Sequence, residues 1–143
     1  MARVEKRITI QAPPEKVFAY LNDPSKGPGF WPSLTAVKDV EPLVSGGHRW
    51  RYVYKMAGLN FEGSNETAEF VPNRRLVVRS QGGIEATVTW TLDPQDGGTV
   101  VGLNADYKVP IPVLGKLAEA VIAKMNEREG EVLLENLKTL LEA

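Results

Sequence analysis

Apolar residues in this chain repeat with a period of two from Val37 to Val109, and with a helical period only near its two ends. That segregation constrains the fold more than any other feature. Strands joined by short turns pair with their neighbours as an antiparallel meander. A long amphipathic helix at the end must then bury its apolar stripe against the sheet. The clearest strand is His48 to Met56, with Trp50, Tyr52, Tyr54 and Met56 on one face and Arg49, Arg51 and Lys55 on the other. Such alternation marks a strand with one buried and one solvated face.

The other strands follow in order. Lys38-Asp39-Val40-Glu41 with Leu43-Val44 forms one, before the tight turn Ser45-Gly46-Gly47. Ala57-Gly58-Leu59-Asn60 turns into Phe61 to Val71, Pro72-Asn73-Arg74 into Leu76 to Ser80, and Gln81-Gly82-Gly83 into a strand whose Ile84, Ala86, Val88, Trp90 and Leu92 share a face. Asp93 to Gly98 is a hairpin loop, and Thr99 to Val109 places Val101, Leu103, Ala105 and Tyr107 inward. Phe61 to Val71 is ambiguous. Phe61, Gly63, Asn65 and Thr67 lie opposite Glu62, Ser64 and Glu66, and Phe61 and Phe70 have opposite parity, so its inner face stays open unless a bulge intervenes.

An alternating strand through Ile8 and Ile10 precedes the meander, giving about seven strands in all. It runs through Ala12-Pro13-Pro14 into a helix with Val17, Phe18 and Leu21 on one face. Proline suits the first turn of a helix because amides there have no intrahelical partner. Asp23-Pro24 ends this helix, since the residue before proline is pushed out of the helical region. The Gly/Pro-broken segment that follows, ending Phe30-Trp31-Pro32, has room for only a short helical turn.

Val113 to Glu142 reads as a closing helix of about eight turns. Its stripe is Leu114, Leu117, Ala118, Val121, Ile122 and Met125, then Val132, Leu133, Leu137, Leu140 and Leu141. Asn126, Glu129 and Gly130 interrupt the same face. Buried charge without water or a partner is costly, so a polar break on a buried face is where a wet cavity would lie.

Composition narrows the function classes. A net charge of −1 gives no electrostatic reason to expect nucleic acid. The absence of cysteine excludes disulfides and thiol catalysis, and fits a reducing compartment. No apolar run reaches the roughly 20 residues that span a bilayer. The N-terminus has no apolar core after its charges, so it does not read as a secretory signal. The expectation is one domain over residues 1–143, in the cytoplasm, as a monomer or homodimer without membrane insertion. His48, the only histidine, lacks a second histidine or cysteine with which to build a zinc site and reads as a solvated turn residue. Gly46-Gly47, Gly82-Gly83 and Gly97-Gly98 belong to turns, not to a phosphate loop. No metal or cofactor is expected.

The stretch Ile8-Thr9-Ile10-Gln11-Ala12-Pro13-Pro14-Glu15-Lys16-Val17-Phe18, with Phe30-Trp31-Pro32-Ser33-Leu34, Glu69 to Leu76 and Gly98-Thr99, resembles START-like (SRPBCC, birch-pollen-allergen-like) proteins. The match is to the branch of polyketide cyclase/dehydrase or carbon-monoxide-dehydrogenase-subunit-G-like proteins, and it covers essentially the whole chain. The resemblance implies an α+β helix-grip fold with an elongated hydrophobic cavity between sheet and closing helix. It also implies binding of lipids, sterols, hormones or polyketides, and in a minority of members cyclisation or dehydration.

The residues best placed to meet a small hydrophobic or aromatic ligand are Trp50, Tyr52, Tyr54, Trp90 and Tyr107 on the strands, and Met125 and Glu129 on the closing helix. Phe30 and Trp31 would stand near the mouth. Aromatic walls with a few polar tips are what a small-molecule site needs. An aromatase/cyclase or dehydratase would need more, an acid and a base converging in the cavity, such as a tyrosine with Glu62, Glu66 or Glu129. An accessory interaction module would have a small, filled cavity.

Overall fold

The computed structural model describes residues 2–111 and 115–143. Seven antiparallel strands form a sheet: β1 (Ala2–Ile10), β2 (Leu34–Pro42), β3 (His48–Met56), β4 (Leu59–Val71), β5 (Arg75–Gln81), β6 (Ala86–Gln95) and β7 (Gly98–Tyr107). Their order is β1-β7-β6-β5-β4-β3-β2, so the first strand closes the meander beside the last. Between β1 and β2 stand α1 (Pro14–Leu21), a 3-10 turn (Pro24–Lys26) and α2 (Gly27–Phe30). The long helix α3 (Lys116–Glu142) packs across the inner face of the sheet. This is the α+β helix-grip arrangement. The expected helix start at Val113, and Leu114 of its stripe, lie outside the described residues.

Local chemistry sets the boundaries. Pro13 is extended and its carbonyl accepts from Lys16 N (3.0 Å) and Val17 N (3.2 Å), starting α1. Asp23 Oδ1 accepts from Ser25 N (3.1 Å) and caps the 3-10 turn. Two hairpins are tighter than their sequences implied. Ala57-Gly58 and Asp96-Gly97 have positive φ at both positions, the geometry of a two-residue turn whose twist matches the flanking strands. β6 therefore continues to Gln95 instead of ending before Asp93. β2 begins and ends earlier than expected, and it shifts register between Lys38 and Glu41, around Asp39 at φ 52°.

β4 resolves its ambiguity through a bulge. Its register shifts between Thr67 and Glu69, so Phe61, Gly63, Asn65, Thr67 and Phe70 can all lie on the better-buried side. Glu62 and Glu66 point outward, paired with Lys38 (3.7 Å) and Arg49 (2.8 Å). Neither is a cavity acid. Gly63 makes room of another kind: a Cβ there would fall 2.3 Å from the carbonyl oxygen of Gln81 and 2.7 Å from the Tyr52 hydroxyl. The glycine admits the β5–β6 loop and Tyr52.

The C-terminal half of α3 is firmly seated, with Leu133, Leu134, Leu137 and Leu141 in the core. Lys138 Nζ donates to Thr9 O (2.8 Å), Lys16 Nζ to Leu141 O (2.8 Å), and Gln11 N to Glu142 Oε2 (2.8 Å). Further back, the helix meets β1 closely at Gly130, where a Cβ would lie 2.8 Å from Val4 Cγ1. That contact fixes the rotation of the helix. Ile122 turns inward, whereas Leu117, Val121 and Met125 face out. The apolar stripe expected for this half is therefore corrected: a neighbouring edge of the helix packs on the sheet.

Candidate functional site

The core is not continuous. One apolar cluster joins α1 and the C-terminal half of α3 to the sheet, and a second gathers Val4, Met56, Ile84, Tyr107 and Ile122. Residues of both clusters line a cavity between sheet and α3, with about 160 Å³ open to the centres of water molecules. In that measure one water needs ~10–15 Å³, so the space exceeds a trapped solvent molecule by about tenfold.

Eight of the nine residues singled out in the sequence line this cavity. β3 contributes Trp50, Tyr52 and Tyr54, β6 contributes Trp90, and β7 contributes Tyr107. Phe30 from α2 and Trp31, which caps it, come from the opposite side, and Glu129 comes from α3. Met125 is the exception. It is 55% exposed and outside the cavity, because the helix presents Asn126 to the sheet in its place.

The rings touch edge to face. Trp31 packs on Tyr54 (6.3 Å between centroids, 78° between planes) and on Trp90 (6.3 Å, 86°), and Phe30 on Trp90 (6.2 Å, 66°). Such pairs are attractive because the positive ring edge meets the negative ring face. They join the Gly/Pro-broken segment to the sheet across the cavity.

Within this apolar wall the polar groups are partnered. Ile84 N donates to the Tyr52 hydroxyl (2.9 Å), which donates to Ile84 O (3.2 Å). Burial pushes the Tyr52 phenol above its ordinary pKa, partly offset by that bond to Ile84. Trp31 Nε1 donates to Tyr54 Oη (3.1 Å), and Tyr54 Oη donates to Glu129 Oε1 (3.1 Å). Burial raises the Tyr54 phenol further, and the charge of Glu129 adds to the effect. Ser33 secures the carboxylate: its amide donates to Oε1 (3.3 Å) and its hydroxyl to Oε2. Asn126 Nδ2 donates to Tyr107 Oη (2.8 Å). Asn65, oriented by its neighbours, accepts from Trp50 Nε1 (3.2 Å) and donates to Ser80 Oγ.

Nothing in the sequence alone marks Ser33 or Ser80 as part of this network, whereas Asn65 lies on the face of β4 that alternation leaves open and Asn126 in the polar break of α3. One usable signal was Trp50 itself, since a buried indole N–H seeks an acceptor on an adjacent strand. His48 is not the solvated turn residue expected: it is half-buried, with Nδ1 shielded and unpartnered among the described residues. It does not line the cavity. Among the described residues no cluster of three or more His, Asp or Glu side chains is arranged to hold a metal ion. No helix among them is long and apolar enough to cross a membrane.

A curved antiparallel sheet gripping one long helix defines a helix-grip protein, here with an aromatic internal cavity. The chain belongs to the polyketide cyclase/dehydrase and lipid transport family, which matches it over residues 1–142. No curated protein matches it. Among solved structures it is similar to TTHA0849 from Thermus thermophilus, at 28% identity and TM-score 0.74, covering 96% of this chain and 94% of that one. A START superfamily protein from Mycobacterium smegmatis is 17% identical at TM-score 0.83, covering 99% and 98%. The Zhui aromatase/cyclase from Streptomyces sp. R1128 is 18% identical at TM-score 0.73, covering 98% and 93%. The likeness to the last two is one of fold.

Proposed function

We propose that this protein binds a small hydrophobic or aromatic molecule in the cavity between the sheet and α3, acting in the cytoplasm as a monomer or homodimer. The observation that carries this reading is the cavity wall. Seven aromatic rings from β3, β6, β7 and the Phe30-Trp31 segment surround about 160 Å³ of space. Membership of a family that includes lipid transport supports it. A filled cavity would have favoured an interaction module, and this one is open.

A ligand that binds only the folded state at a hundred times its Kd adds about 2.7 kcal/mol of stability. The test is a thermal-shift and native mass spectrometry screen with lipids and aromatic polyketides. A cavity-filling Ala105→Phe variant, made at a half-buried wall position, is the control. A binder should raise the Tm of the natural chain by several degrees and that of the filled variant far less. If nothing raises the Tm, or if both chains respond alike, the proposal fails.

One contact supports a second reading, an aromatase/cyclase or dehydratase. The Tyr54 hydroxyl and Glu129 carboxylate stand 3.1 Å apart in the wall, a proton donor beside an acceptor. Zhui, a similar fold, is an aromatase/cyclase. In this reading Tyr54 supplies a proton or hydrogen bond to a carbonyl, and Glu129 takes a proton. Undiminished turnover of a polyketide substrate by Tyr54→Phe and Glu129→Gln would remove these two residues from the mechanism.

A further inference from the structure

Resting on the binding reading, we propose that the cavity selects a neutral or cationic hydrophobic molecule carrying a hydrogen-bond donor, such as a phenol, alcohol or amine, and rejects anionic hydrophobes such as fatty-acid carboxylates. The argument comes from the charge of the wall. Among the described residues the lining holds two carboxylates, Asp23 and Glu129, and no Lys, Arg or His. Asp23 caps the 3-10 turn through Ser25. Among the described residues Glu129 forms no ion pair, and its neighbours are the donors Tyr54 and Ser33.

An anionic ligand would therefore enter an apolar space with negative charge already in the wall and no cation to balance its own. Burying an unpaired charge is strongly unfavourable, and a like charge nearby adds to that cost. Asn65, Ser80, Asn126 and Tyr107 are neutral. They can serve a hydroxyl or carbonyl group but cannot neutralise a carboxylate. A ligand donor fares differently. An ionised carboxylate offers about four lone-pair sites, and Tyr54, Ser33 N and Ser33 Oγ occupy three. One acceptor site is left on a residue that lines the cavity. A hydroxyl or amine placed there makes a charge-assisted hydrogen bond, stronger than a neutral one.

The test uses the full chain and a set of probes on one ring system: naphthol, its methyl ether, naphthylmethylamine and naphthoate, measured by equilibrium dialysis. Naphthol and the amine should bind about tenfold more tightly than the ether, the scale of one hydrogen bond to a charged group. Naphthoate should bind most weakly. In Glu129→Gln the preference for naphthol over the ether should shrink, and naphthoate should gain about tenfold. Naphthoate binding the natural chain as tightly as naphthol would overturn the inference, without need of any variant. So would unchanged ratios in a folded Glu129→Gln protein. If the ether binds but no preference appears, selectivity alone is refuted. If no probe binds, the binding reading falls and takes this one with it.

Discussion

Tyr54→Phe tests the polar centre of the cavity while leaving its shape alone. The substitution removes one oxygen and keeps the ring, so the edge-to-face contact with Trp31 persists and no large cavity is created. Two hydrogen bonds disappear: the one Trp31 Nε1 donates, and the one Tyr54 donates to Glu129. A neutral bond of this kind is worth about 1 kcal/mol and one to a charged group about 1.5–3 kcal/mol. Two effects reduce the sum. Glu129 keeps both donors of Ser33, and water in the cavity can reach the indole N–H. We expect a net loss of about 2 kcal/mol, roughly 6 °C in Tm at ~3 °C per kcal/mol for a chain of this size.

Urea and thermal unfolding followed by circular dichroism measure the loss, and an unchanged urea dependence would show that only stability moved. A cycle with Glu129→Gln isolates the pair. Groups in direct contact should show about 1 kcal/mol of coupling, whereas independent ones add. A Tm within about 1 °C of the natural chain, or strict additivity in the cycle, would refute the network; the phenol would then be served equally well by solvent.

Other expectations follow from close approaches and from titration. Gly63→Ala should cost about 3 kcal/mol by urea unfolding, because its Cβ meets the backbone oxygen of Gln81 at 2.3 Å and backbone cannot swing aside. Gly130→Ala gains about 1 kcal/mol of helix propensity, but its Cβ meets Val4 Cγ1 at 2.8 Å and Val4 is only 5% exposed. The clash should win by about 1 kcal/mol, and Val4→Ala should reverse the sign of the Gly130→Ala effect. Tyr52 and Tyr54 both have raised pKa values in the folded state, through burial first. Their protons are held by the folded chain after the unfolded chain has released them, so stability is intact below the ordinary tyrosine pKa of about 10 and falls as pH rises above it. Tyrosinate absorbance during alkaline titration should reach its plateau at higher pH in the natural chain than in Tyr54→Phe, because the late release of the Tyr54 proton is lost.

How much of this was legible in the sequence depends on how many independent patterns met at each residue. Trp50, Tyr52 and Tyr54 were placed correctly because a strand has one register, and period-two alternation decides the face outright. β4 could not be decided that way. A bulge between Thr67 and Glu69 breaks the parity, and nothing local marks its position. Asn65 and Ser80 are only partly legible for a related reason: the buried indole of Trp50 calls for an acceptor on a neighbouring strand, but which residue answers depends on the register that pairs Trp50 with Asn65. α3 failed differently. Its N-terminal half carries two apolar edges, Leu117-Val121-Met125 and Ala118-Ile122, and a helix wheel alone accepts either. The choice is made by Gly130, which lets the helix backbone settle against Val4 and so fixes the rotation over the preceding turns. Once Gly130 faces β1, Asn126 reaches Tyr107, Glu129 reaches Tyr54, and Met125 is turned to solvent. A glycine within a polar break of a long helix is therefore itself a signal, since the close approach it permits decides which neighbours enter the cavity.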